Sequence, residues 1–183
     1  MEDSEKYYTP YATSLIRFLS ESGWTVEEGE DTSTCMGGVT TESLELGYVV
    51  TLSIESDQAL VSVVFEVPVA ENLHVDLLKL LNEINKGSIP GSASYHFEDS
   101  MVEVCSSMMV AGIDDLDDPD VEEIAVETFA QIHEILIGVS LAIHMAITEL
   151  QKHGDYTEAF ATFSSAIDTF IAALDLELDP GNG

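Results

Sequence analysis

Five histidines, two cysteines and thirty-five carboxylates are the side chains of this 183-residue chain best suited to binding a metal or moving a proton. Their spacing decides how much of that chemistry is available. His133 and His144 fall about three helical turns apart, some ~16 Å along a helix axis at 1.5 Å per residue, which is too far to share one ion. Each is expected to be a boundary residue of its helix. His74 and His96 belong to different elements, and neither has the neighbouring acid or cysteine of a ligand set. Cys35 and Cys105 are too few for a zinc motif and neither sits in a CxxC pair. Cys105 alternates with apolar strand residues and reads as a small buried side chain.

Among the carboxylates, Asp118, Asp120 and Glu122 alternate as the first ligands of a calcium loop do. The sixth position would then be Glu123, where the loop needs glycine, and the twelfth Phe129, where it needs a bidentate glutamate. The pattern fails, so no metal site is predicted beyond the nonspecific cation association that so acidic a chain attracts. No GxSxG, P-loop or dinucleotide glycine fingerprint follows a strand. Carboxylates this numerous could pair anywhere and so single out no acid–base couple. The expectation is a protein that is not an enzyme and uses no cofactor.

Charge is the strongest compositional signal, since five basic side chains against thirty-five acidic ones leave a formal charge of −30. In dilute buffer such a molecule repels itself, whereas at ~1 M salt the Debye length shrinks to about 3 Å and surface pairs stop sensing one another. The acids spread from Glu2 to Asp179, and the only lysines are Lys6, Lys79, Lys86 and Lys152. This distribution resembles that of cytosolic proteins from salt-accumulating haloarchaea, which implies adaptation to high salt. The alternative is an acidic protein that meets a basic partner. Nucleic acid and anionic membrane surfaces both require clustered Lys and Arg, which the chain lacks. The opening MEDSEKYY is unlike a secretory signal. The longest apolar run, Ile135 to Ile147, is broken by Ser140 and His144 and is shorter than the ~20 residues of a spanning helix. A cytoplasmic location is expected.

The elements that must position these groups follow from periodicity. Thr9 as N-cap with Pro10 in the first turn predicts a helix carrying Tyr11, Leu15, Phe18 and Leu19, stopped by Gly23. Trp24 to Glu28 reads as a short strand, and the Thr, Ser and Gly-rich stretch from Asp31 to Ser43 as loop or irregular strand. Tyr48, Val50, Leu52 and Ile54 alternate with polar or outward residues, turn at Ser56, Asp57 and Gln58, and resume at Val61, Val63, Phe65 and Val67 until Pro68: a hairpin. Asn72 is the expected cap of a second helix with a Leu77, Leu80, Leu81, Ile84 stripe, closed by a left-handed Gly87. A second hairpin pairs Ala93, Tyr95 and Phe97 with Val102, Val104, Ser106, Met108 and Val110. Asp118 and Pro119 then open a long helix to His153, with Ala125, Phe129, Ile132, Leu136, Val139, Ile143, Ile147 and Leu150 on one stripe. Gly154 breaks it. Asp155 with Glu158 caps a last helix bearing Phe160, Phe163, Ile167, Phe170 and Leu174, and the DPGNG tail is expected to be loose. The fold class is thus α+β, an antiparallel sheet of about five strands packed by helices in the order α-β-β-β-α-β-β-α, plus an extra C-terminal helix.

This order, together with a helix ending in the "LN..N" pattern of Leu81, Asn82 and Asn85 followed by strand, acidic turn and strand, resembles the YbjN family, whose architecture is similar to that of type III secretion chaperones. The resemblance covers residues Tyr8 to His153. It divides the chain into a YbjN-like domain at 1–154 and an added helix and tail at 155–183. It implies a sheet covered by helices, often paired as a dimer, and a role in holding or regulating other proteins. The residues add one reading of their own: Asn82 and Asn85 share the last helical turn, where their amides could bond to nearby strand backbone and lock the helix to the sheet.

The leading functional expectation is therefore a noncatalytic, chaperone-like regulatory module with a protein client. It is a homodimer through the Asp120–His153 helix, the final helix, or both, and it binds neither nucleic acid nor membrane. Phe160, Phe163, Ile167 and Phe170 are the candidate interaction residues, because their stripe lies on the added helix. The competing class is a small-ligand binder or an enzyme with a pocket between sheet and long helix, lined by Met101, Met108, Met109 and His96.

Overall fold

The computed structural model describes residues 10–28, 32–41, 44–53, 58–87, 91–109 and 121–178. In chain order these form α1 (Pro10–Glu21), β1 (Thr25–Glu28), β2 (Thr32–Thr40), β3 (Glu45–Ser53), β4 (Gln58–Glu66), a 3-10 turn (Glu71–Leu73), α2 (His74–Lys86), β5 (Ser92–His96), β6 (Met101–Met109), α3 (Val121–His153) and α4 (Tyr156–Leu178). The fold is α+β, with six antiparallel strands in the order β1-β2-β3-β4-β6-β5 and four helices. The strand beyond the expected five is β2. Its Thr, Ser and Gly content hides the alternation, yet Ser33 and Cys35 are fully buried and both edges are paired, to β1 and to β3. Several expected features lie outside the described residues: the Thr9 cap, the turn at Ser56 and Asp57, the start of the long helix at Asp118 and Pro119, the calcium-like Asp118 and Asp120, and the tail from Asp179. Gln58 is strand rather than turn.

The chain packs as two compact units. The first comprises Met1–Phe65 with Cys105–Ile135. In it α1 buries Ala12, Leu15 and Leu19 and packs on β1 and β2. A paired set of bonds ends the helix, Gly23 N–H to the Ser20 carbonyl and Trp24 N–H to that of Leu19, which requires the positive φ of 86° that Gly23 adopts. In the β3–β4 hairpin the register places Tyr48 opposite Val63, Val50 opposite Val61 and Leu52 opposite Ala59, so one face of the hairpin is buried and, the Tyr48 hydroxyl aside, apolar. Four rings close a circuit over it: Trp24 to Tyr48 at 5.6 Å, Tyr48 to His133 at 4.6 Å, His133 to Phe129 at 5.6 Å and Phe129 to Trp24 at 5.8 Å. Trp24 lies flat on Gly37, where any Cβ would overlap the indole. Burial lowers the His133 pKa, favouring the neutral ring.

The second unit comprises Glu66–Val104 with Leu136–Gly183. Here α2 buries Leu77, Leu80, Leu81 and Ile84 and packs on β5 and α4. Its ends differ from the expected ones. Asn72 lies inside the 3-10 turn, and Leu73 stands at the N-cap without a side-chain bond, the preceding turn having taken over the role of a cap. Gly87 is extended, at φ −71° and ψ 170°, and closes the helix by donating to the Ile84 carbonyl rather than by a left-handed turn. Gly154, in contrast, has φ +69° and donates to the Leu150 carbonyl at 2.7 Å, ending α3 where the sequence predicts. Asp155 then accepts from the Thr157 N–H at 2.8 Å and starts α4.

In the second hairpin Ala93, Tyr95, Val102 and Val104 are buried, and the Tyr95 hydroxyl donates to the Val67 carbonyl at 3.0 Å. Phe97 sits in the turn, exposed, with its ring against His74 at 4.6 Å. Cys105 is half-buried, because the inward face of β6 belongs to Val102, Val104 and Ser106; Cys35 is the enclosed thiol, its pKa pushed up to about 11 by burial. Among the described residues α3 is the one helix long and apolar enough, by length and composition alone, to cross a membrane, a longer run than Ile135 to Ile147 suggests. Its stripe is largely consumed in the interior, where Ala125, Phe129, Leu136, Val139, Ile143, Ile147 and Leu150 are all buried.

Candidate interaction groove

Glu103 holds His96 at 3.0 Å in an exposed pair, Glu149 holds His153 at 3.0 Å, and the His74 Nε2 donates to the Val69 carbonyl at 3.1 Å. Among the described residues no three His, Cys, Asp or Glu side chains converge as a metal set. Burial lowers the pKa of His144, as it does that of His133. The concavities described next include neither Met101 nor His96, and the side chains of Met108 and Met109 lie outside the described residues.

A groove of about 270 Å³ opens between the C-terminal end of α2 and the middle of α4. Three of the four predicted interaction residues, Phe160, Phe163 and Ile167, line it, with Ile84 and Gly87 on the α2 side. The Phe160 and Phe163 rings stack at 6.2 Å, and Phe163 is only 6% exposed, so it forms the floor. Ile171 forms the lip and is 50% exposed. Gly87, in its extended conformation, lines the groove at the end of α2.

Phe170 goes elsewhere. Its ring covers Gly138 of α3 so closely that a Cβ there would lie 2.5 Å from the Cζ atom. At 100° per residue Phe160, Ile167 and Ile171 fall close to one line along α4, whereas Phe170 lies about 80° round from Phe160. Angular position does not separate Phe170 from Phe163, which lies about 60° round on the same side and does line the groove; the spacing marks the α4 face only as a whole. The contributions of Ile84 and Gly87 carry no such signal, because they depend on how α2 and α4 meet.

The rim is acidic. Asp168 lines the groove without an ion pair among the described residues, and Glu83 accepts from its own helix neighbour Lys86 at 2.6 Å. On the same helix Lys79 is held by Asp76 at 2.8 Å and lies 5.3 Å over the Tyr156 ring. No Lys or Arg occurs anywhere in α4. A second concavity, about 530 Å³ and wide open, lies between α3 and α4 and is lined by Met145 with small and hydroxyl residues such as Ala161, Ser165 and Thr169.

Comparison with known proteins finds a family model and a solved structure to which the chain is similar. Residues 12–117 match the family model of YbjN, described as "Putative bacterial sensory transduction regulator". That stretch contains α2, whereas α4 lies beyond it. The crystal structure of YbjN from E. coli is similar at 16% sequence identity and a TM-score of 0.37, covering 70% of this chain and 91% of that one. No curated protein matches the chain.

Proposed function

This chain belongs to the YbjN family, and we propose that it is a regulatory module without chemistry of its own, holding a protein partner in the α2–α4 groove at high salt. The observation that carries this reading is the gradient across the groove, from a buried Phe163 to a half-exposed Ile171. Apolar surface left in water forfeits roughly 25 cal/mol per Å², so a persistent apolar groove with a polar rim is a place for a partner to cover.

The test is capture from a native-salt lysate with wild-type protein and with Ile171→Asp, chosen because the residue is half-exposed and its replacement leaves the floor intact. A partner retained by the wild type and lost by the variant is the expected result. Identical sets of captured proteins would remove the groove from consideration.

A further inference from the structure

We propose that the occupant of the α2–α4 groove is a basic amphipathic helical segment of another protein, which inserts one bulky apolar side chain beside Phe160 and Ile167 and sets Lys or Arg against Asp168. The proposal rests on the reading of the groove as a protein-binding site and adds the chemistry of what binds. Charge complementarity is the argument. Among the described residues Asp168 has no ion pair on the rim, α4 has no cation to offer it, and the lysines of α2 are already held by Asp76 and Glu83. At low salt a second copy of this chain would bring a formal charge of −30 to the same face, so under that condition the groove disfavours its own kind as occupant.

Shape supports a helix. The groove runs along α4 between two helices, and its apolar contacts recur at Phe160, Phe163, Ile167 and Ile171, the three- and four-residue steps of one helical face. Three of its nine lining residues come from α2 and its C-terminal glycine, inside the stretch shared with the family, and six from α4, outside that stretch. The partner chemistry therefore belongs to the part of this chain that adds α4.

The experiment uses the full chain and three fluorescein-labelled peptides, read by anisotropy at low and at high salt. One has a Leu/Phe face opposed by Lys, the second replaces Lys with Glu, and the third scrambles the first so that its composition is kept and its face lost. The Lys peptide should bind, the other two should bind far more weakly, Asp168→Asn should weaken binding severalfold at low salt, and Ile171→Asp should weaken it about tenfold or more. The last variant adds an acidic charge, so a purely electrostatic attraction would strengthen where insertion into the groove must weaken. Equal binding of the scrambled peptide, or binding unchanged by Ile171→Asp, overturns the proposal. If the Glu peptide binds as well as the Lys peptide and both depend on Ile171, the basic chemistry is wrong while the groove stands. If no peptide binds but lysate capture still depends on Ile171, the helical segment is wrong and the protein-binding reading survives.

Discussion

Asn85 shows what one amide can do at the end of an element. Its Nδ2 donates to the Ala93 carbonyl at 2.8 Å and its Oδ1 accepts from the Ala93 N–H at 2.7 Å, so a single side chain takes the place of a neighbouring strand for that residue of β5. Of the two asparagines it is Asn85 whose side chain bonds to the strand. Asn85→Asp keeps the shape and the acceptor but loses the donor, and sets a carboxylate against the Ala93 carbonyl. It should lower stability by about 1–3 kcal/mol, as a stranded backbone acceptor costs, and the fall should appear as a lower midpoint in urea with an unchanged slope. Sequence could reach this contact because the amide stands in the last helical turn, where the nearby strand is only eight residues away along the chain.

At the scale of the element, α4 is fixed by a capped start at Asp155 and by the seat of Phe170 on Gly138. Gly138→Ala should gain up to about 1 kcal/mol of helix propensity and lose more by displacing the Phe170 ring, for a net cost of roughly 1–2 kcal/mol. Combining it with Phe170→Ala should recover the propensity gain, and a double-mutant cycle on melting checks whether the two residues are coupled. The four helices and the two hairpins were legible because their apolar residues repeat at 3.6 or at 2, and because Gly23 and Gly154 stand at the stops. β2 was not, since burial of Ser33 and Cys35 leaves no apolar alternation to read. Gly87 shows the complementary failure: glycine marks the end of α2, but residue type does not say whether the exit is left-handed or extended. For the groove, the α4 side was readable in the spacing of Phe160, Phe163 and Ile167. The α2 side was not, because Ile84 and Gly87 meet α4 only through tertiary packing.

For the whole molecule, the formal charge of −30 over 183 residues makes ionic strength the variable to which stability should respond most. Adding salt from about 0.1 M to 1 M shortens the Debye length from about 10 Å to 3 Å and relieves repulsion among the surface carboxylates. The melting temperature should rise steeply over that interval, with potassium chloride and sodium chloride acting alike; a flat profile would remove the salt-adapted reading. The cations that the chain does carry have a further consequence. Lys79, Lys86 and Lys152 each lie within a helix, with the ammonium held by a carboxylate three residues earlier. A protease that cuts after lysine and arginine thus finds one cleavage point, Lys79, well inside α2 and two, Lys86 and Lys152, in the last turns of α2 and α3. Cleavage after Lys79 therefore reads the opening of α2, whereas cleavage after Lys86 or Lys152 reads fraying at a helix end.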